Sequence, residues 1–210
     1  MTSPSITTII FDLGGVLIDW NPRYLYSKLF TNEQEMNTFL DTVTTPDWNE
    51  EQDAGRTITE GTAMLVAQHP HHRELIEHFY GRWSEMLGGA IHGTVDVLTE
   101  LRESHRYRLY ALTNWSAETF PIALEQFGFL HWFEGIVVSG TEKMRKPAAE
   151  FYHLLLTRYG VEAQQAVFID DNLRNIQAAQ AIGLHTIHFQ SPEQLRTELA
   201  AFGVLPAAGS

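Results

Sequence analysis

No cysteine occurs anywhere in the 210 residues. That excludes a disulfide framework, a thiolate nucleophile and a cysteine-based zinc site, and it leaves the redox compartment open. Cations are also scarce: 14 Lys and Arg stand against 26 Asp and Glu, a formal net charge of −12. A field of that sign repels nucleic acid and anionic membrane, so neither is an expected partner, and an anionic substrate would need local cations. No window approaches the roughly 18 consecutive apolar residues of a membrane span. The N-terminal Met1-Thr2-Ser3-Pro4-Ser5 lacks the basic region of a signal peptide, and only a short apolar strand follows it. The expected location is the cytoplasm, and a homodimer is the one protein assembly left open.

What is present suits a folded globular chain. Apolar residues make up 44%, with five Trp, seven Tyr and twelve Phe. The length allows one well-buried core plus a small accessory domain made by insertion. The β-branched run Ile6-Thr7-Thr8-Ile9-Ile10-Phe11 reads as a strand ended by Asp12-Leu13-Gly14-Gly15. A helical stretch follows. Asn21-Pro22 and Thr31-Asn32-Glu33-Gln34-Glu35 start helices, and further helices are expected over 59–68 and 71–87.

After Gly88-Gly89 the pattern alternates. Helices are expected over 94–103, 117–127, 148–159 and 172–182, each followed by a strand, over 108–112, 135–138, 166–169 and 185–189. Such a series builds a mostly parallel sheet with helices on both faces. The expected fold is therefore α/β, a doubly wound parallel-sheet core over 1–18 and 89–210. Residues 19–88 form an inserted α-helical bundle, the cap, of four or five helices. The small, polar end at 206–210 is expected to be mobile.

In open α/β sheets the ligand site lies beyond the carboxyl ends of the strands. Asp12, Thr113-Asn114, Lys146 and Asp170-Asp171 all fall there. An ionised Asp12 can attack an electrophile directly. Gly14 and Gly15 allow a tight turn whose N–H groups can form a small anion nest. Thr113 can donate to a phosphoryl oxygen, and Lys146 can neutralise nucleophile and transferring group together. Asp12 with Asp170 or Asp171 supplies the hard oxygen ligands that Mg²⁺ prefers. Singly, each motif has a bland reading: a turn, a helix cap or a surface loop. Their shared placement at strand ends makes one active site the better account.

Four stretches carry a resemblance: Phe11-Asp12-Leu13-Gly14-Gly15-Val16-Leu17, Leu112-Thr113-Asn114, Arg145-Lys146-Pro147 and Phe168-Ile169-Asp170-Asp171-Asn172. In order and spacing they resemble the four motifs of the haloacid dehalogenase-like (HAD) hydrolases. The helical insertion resembles that superfamily's small cap on a Rossmann-like core. The chain looks closest to the branch of bacterial sugar phosphatases similar to α-glucose-1-phosphatase. The resemblance implies a Mg²⁺-dependent phosphatase acting on a small phosphate ester, a sugar phosphate by preference, through an aspartyl-phosphate. It implies catalytic roles for Asp12, Lys146 and Thr113, and phosphate binding by Gly14, Gly15, Thr113, Asn114 and Lys146. Metal ligation falls to Asp12, the Gly14 carbonyl and Asp171, with Asp170 beside or sharing that role. One position departs from the pattern. Phosphatases of the superfamily usually carry a second Asp two residues after the nucleophile, and Gly14 stands there, so a substitute acid is expected from the cap, from metal-bound water or from the substrate.

Other residues have weaker functional readings. Trp20, Asn21, Arg23, Tyr24 and Trp48 are candidates to line the pocket, although aromatic residues of a small bundle are mostly core. His69, His71 and His72 flank Pro70 in a loop and read as solvated. Arg145 and Arg174 read as solvent-facing ion pairs more than as helpers of Lys146. Two other functions use the same residues: a 2-haloacid dehalogenase with an Asp12 nucleophile and no metal, and a weakly active phosphate- and metal-binding protein.

Overall fold

The computed structural model describes residues 5–206. The expectations for residues 1–4 and 207–210, no signal peptide and a mobile end, lie outside them. The chain opens on β1 (Thr8–Phe11), buried throughout because both sheet faces are covered. A tight turn leads to β2 (Ile18–Trp20). Five helices follow: α1 (Arg23–Tyr26), α2 (Glu33–Thr42), α3 (Pro46–Asp53), α4 (Ile58–Gln68) and α5 (Arg73–Gly81). Side-chain caps set several of their starts. Asn32 accepts from Gln34 N and Glu35 N, Thr45 caps α3 ahead of Pro46, and Thr57 with Glu60 forms a capping box.

The chain then returns through β3 (Leu87–Ala90), which pairs antiparallel with β2. This two-stranded ribbon is a correction to the expected helix over 71–87. The helix stops at Gly81 and a single 3₁₀ turn, Trp83–Met86, leads into the strand. At Gly88 the Asp19 carboxylate and the Tyr24 ring fill the space a side chain would take: a Cβ there would lie 2.2 Å from Asp19 Oδ2 and 2.7 Å from the Tyr24 ring.

From there the expected alternation appears, with a short helix α8 added after β5: α6 (His92–Glu103), β4 (Arg108–Thr113), α7 (Phe120–Gln126), β5 (Gly135–Val138), α8 (Ser139–Glu142), α9 (Ala149–Tyr159), β6 (Ala166–Asp170), α10 (Leu173–Ala181), β7 (His185–His188) and α11 (Pro192–Ala201). The last helix was not anticipated, although Ser191-Pro192 with Gln194 is a helix start and Ser191 Oγ does accept from Gln194 N at 3.2 Å.

The five-stranded sheet has the order β5-β4-β1-β6-β7, and every pairing is parallel. Side chains sort by the strand period of two. Ile10, Tyr110, Leu112, Val137 and Phe168 face α9 and α10. Ile9, Phe11, Ala111, Val138 and Ile169 face the other way, in a cluster shared with α6 and α11 that runs through Val16 to Ile18 into the helical insertion. The order places β1 at the topological switch point, since the crossovers run outward from it in both directions. Asp12 follows its last residue. No helix of the described residues is long and apolar enough to cross a membrane.

Candidate active site

Register carries the four motifs to one edge of the sheet. Phe11 is level with Ala111 and Ile169, so Asp12, Thr113 and Asp170 leave neighbouring strands at the same end. The Asp12 backbone N–H donates to Ile169 O at 2.8 Å, continuing the ladder by one rung. Its carboxylate is then fixed at both oxygens: Oδ1 accepts from Leu13 N at 2.7 Å, and Oδ2 meets Lys146 Nζ at 2.8 Å.

Lys146 is the pivot. Its side chain is wholly buried, and Nζ also donates to Asp170 Oδ2 at 2.7 Å. A buried ammonium is tolerable only when paired on this scale. The backbone around it is held by Asn114, whose Oδ1 accepts from Lys146 N at 2.9 Å and whose Nδ2 donates to Lys146 O at 3.0 Å. Asn114 thus ties the lysine loop to the end of β4.

The two acidic neighbours differ sharply. Asp170 is fully buried and already saturated: besides Lys146 it accepts from Asn172 N at 2.7 Å and from Asn175 Nδ2 at 3.1 and 3.0 Å. Asp171 is exposed toward the cavity. Asp12, Asp170 and Asp171 each offer an oxygen within 4.8 Å of the others, a spacing that suits a cation, and no His tract does so among the described residues.

Gly15 has a different part from the one expected. Its N–H is not free for an anion, because it donates to Ile18 O at 2.9 Å. What position 15 needs is a left-handed backbone, φ +75°, and no side chain: a Cβ would sit 2.3 Å from Asp171 Oδ2. The glycine makes room for the acidic pair. At Gly14, by contrast, a Cβ meets nothing within 4 Å.

Charge explains why such a site needs a cation. Burial pushes the Asp12 carboxyl up to about 8, with Lys146 pulling it down and Asp170 pushing it further up. Burial and Asp170 likewise raise Asp171. Burial opposes the Lys146 ammonium, yet Asp12 and Asp170 outweigh it and hold its pKa above the ordinary lysine value. Asp12 therefore needs more positive charge beside it than Lys146 supplies before it is fully ionised at neutral pH. One lysine does not neutralise three carboxylates, and a divalent cation would. The donor set, all hard oxygen, fits Mg²⁺. A second polar group is unsatisfied: the buried Thr113 hydroxyl has no hydrogen-bond partner in the protein.

Above this floor lies a cavity of about 300 Å³, lined by Asp12, Gly14 and Asp171 below and by Trp20, Asp53, Tyr80, Trp83 and Trp115 at its walls and roof. Of the residues weighed for the pocket, Trp20 lines it. Trp48 packs in the helical insertion against Phe79 and donates to Gly61 O at 3.0 Å. Asn21 caps Arg23 N, Arg23 bonds Asn37, and Tyr24 donates to Asp19. Arg145 and Arg174 pair with Glu50 at 3.2 and 3.1 Å, joining core to α3. Asp53, Trp83, Trp115 and Asn175 escaped the sequence reading. A buried Asn five residues beyond Asp170 was the one visible signal.

A family profile described as haloacid dehalogenase-like hydrolase matches residues 6–183. The chain belongs to the haloacid dehalogenase-like hydrolases. It is 29% identical over 184 residues to the sesquiterpene phosphatase astK of Aspergillus oryzae, covering 85% of this chain and 87% of that one. It is 26% identical over 196 residues to the pyrophosphatase PpaX of Bacillus velezensis, covering 89% and 84%. An HAD family enzyme of Bacteroides thetaiotaomicron, solved in complex with magnesium and inorganic phosphate, shares the fold at TM-score 0.65 and 23% identity, covering 89% of this chain and 96% of that one. This HAD hydrolase has a Rossmann-like core and a helical cap.

Proposed function

We propose that this enzyme is a Mg²⁺-dependent phosphomonoesterase that works through a phosphoaspartate on Asp12. The observation that carries the reading is the buried Lys146 shared by two of three clustered carboxylates, which leaves an excess of negative charge beside an unpartnered Thr113 hydroxyl. Asp12, the Gly14 carbonyl and Asp171 would hold the ion, while Asp170, saturated by its own donors, holds Lys146 in place. When bound, the ion offsets repulsion between carboxylate and phosphate and polarises a phosphoryl oxygen.

In the first step an Asp12 oxygen forms a bond to phosphorus and the ester P–O bond breaks. Leu13 N and Lys146 Nζ orient that carboxylate, and the attack needs no separate base. Lys146 follows the charge as it moves to the phosphoryl oxygens, and Thr113 Oγ1 donates to one of them. Asn114 positions the lysine loop and leaves one amide N–H for phosphate. Water then attacks phosphorus and frees Asp12. Residues 1–18 and 89–210 form the catalytic core and 19–88 the cap, with the β2–β3 ribbon as their double connection. The reading places the enzyme in the cytoplasm.

For the ester itself, a sugar phosphate follows from the family resemblance. The cavity favours a second reading as well. Trp20, Tyr80, Trp83 and Trp115 present apolar faces that suit a hydrophobic alcohol, and a relative of similar length is a sesquiterpene phosphatase. The test is phosphate release from a panel of sugar 1- and 6-phosphates, nucleotides, isoprenoid monophosphates and an aryl phosphate, with Mg²⁺ and with EDTA. We expect release that EDTA and Asp12→Asn both abolish. Metal-independent halide release from a 2-haloacid would instead make it a dehalogenase, and binding of phosphate without turnover would make it a binding protein.

A further inference from the structure

Hydrolysis of an unactivated ester requires a proton for the departing alkoxide, and the floor of the site has none to give. Lys146 Nζ is committed to Asp12 and Asp170, and the Asn114 amide, which also ties down the Lys146 backbone, is no acid. At position 14 there is no side chain, and the space a Cβ would enter is empty. The cavity has two further carboxyl groups, both from α3 in its roof: Glu50 and Asp53. Glu50 is already engaged, in ion pairs with Arg145 at 3.2 Å and Arg174 at 3.1 Å. Asp53 makes no ion pair among the described residues. Its carboxyl accepts from Asn49 Nδ2 at 3.2 Å and faces the Ser116 backbone N–H, both neutral donors.

The position of Asp53 is fixed from the core side. Its backbone carbonyl accepts from Ser139 Oγ at 2.5 Å, and the same hydroxyl accepts from Trp115 N at 2.9 Å. One serine therefore clamps the end of α3 onto the carboxyl ends of β4 and β5, beside the motif residues Thr113 and Asn114. Asp53 is also the last residue of α3, where the negative end of the helix dipole disfavours a carboxylate. Burial, then Glu50, push its carboxyl up to about 7, against the Ser116 backbone and Arg145. The charged or titratable groups around it are Glu50 on its own helix, Arg145 in the lysine loop and Tyr80 on α5.

We propose that Asp53, delivered by the cap, is the general acid and base of this site, in place of the side chain absent at Gly14. The proposal rests on the phosphoaspartate reading above. As Asp12 forms its bond to phosphorus and the ester bond breaks, the Asp53 carboxyl transfers its proton to the leaving oxygen and the alcohol departs neutral. The Asp53 carboxylate then takes a proton from the water that attacks phosphorus. The bond between phosphorus and Asp12 breaks, inorganic phosphate leaves, and both aspartates return to their starting forms. Catalysis is thereby tied to cap closure, because floor and roof each lack what the other holds.

The experiment compares wild type, Asp53→Asn, Asp53→Glu and Asp12→Asn with Mg²⁺ on two esters, an alkyl phosphate and 4-nitrophenyl phosphate. For Asp53→Asn we expect kcat on the alkyl ester to fall about 10²- to 10⁴-fold, with KM nearly unchanged and its alkaline limb of activity lost. On the aryl ester, whose leaving group needs no proton, the same variant should release a burst of one nitrophenolate per enzyme at a near-normal rate, followed by slow turnover. Asp53→Glu should recover part of the alkyl activity. Equal losses on both esters with no burst, or unchanged alkyl turnover in Asp53→Asn, would overturn the role of Asp53 while leaving the nucleophile in place. A wild type inactive on both esters, or an active Asp12→Asn, would remove the reading beneath it.

Discussion

The floor and the roof of this cavity are built on opposite principles. The floor is a closed set of buried charges. Asp12, Lys146 and Asp170 sit within 2.8 Å contacts, each held by backbone N–H groups or by Asn114 and Asn175. The roof is one short polar helix, α3, fastened by Ser139 and by half-exposed ion pairs from Glu50, over walls of Trp and Tyr. Charge at the floor is strong because it is dry, and it must be satisfied completely. Charge at the roof is partly exposed, so it is screened and its pairs are weak.

Removing parts from each side sharpens the contrast. The largest effect belongs to the floor: Asp12→Asn should lower phosphate release by about 10⁴-fold or more, read in a phosphate-release assay with the fold verified by circular dichroism. Lys146→Met comes next. It leaves Asp12 and Asp170 facing each other with no cation, and should cost about 3–5 kcal/mol in denaturant unfolding; equal stability would show that the buried pair is not needed to hold the floor. Asn175→Ala strips Asp170 of a donor to both its oxygens and should cost about 1–3 kcal/mol in the same measurement. Glu50→Gln, at the roof, should change stability by only about 0.2–1 kcal/mol and less at high salt.

The roof also has a pH signature. Because the Asp53 pKa is raised in the fold, to about 7 from the ordinary aspartate value of 3.8, the native state retains a proton that the unfolded chain has lost between those values. Its contribution to stability is complete below about pH 4 and is lost as pH rises through about 7. Denaturant midpoints for wild type and Asp53→Asn, compared across that window, should show a steeper decline in wild type. Parallel curves would mean that the fold does not raise the Asp53 carboxyl.

Legibility in the sequence followed the same division. The strands of the parallel sheet could be read because each is a short, largely apolar run between turn residues or helices, and the β1 end because Asp12-Leu13-Gly14-Gly15 must turn sharply. Gly15 was legible as a special residue, but its reason was not: the backbone turn could be guessed, whereas the carboxylate of Asp171 packed against it comes from a residue 156 positions away. Helix α3, Pro-Asp-Trp-Asn-Glu-Glu-Gln-Asp, has almost no apolar period and was passed over. The β2–β3 ribbon was missed because its strand of three residues has no pattern of its own until its partner arrives.

By itself, then, the sequence determined the alternation of strands and helices and the short motifs at the strand ends, since these depend on local backbone preference and on which residues turn or cap. Only the tertiary structure decided which of two adjacent aspartates is saturated and which faces the cavity, and that Asn114 anchors a loop. It alone put Asp53 on the lining of the cavity that Gly14 also lines. Those outcomes depend on donors and carboxylates that meet across distant parts of the chain, and burial sets their charge only after the fold has closed around them.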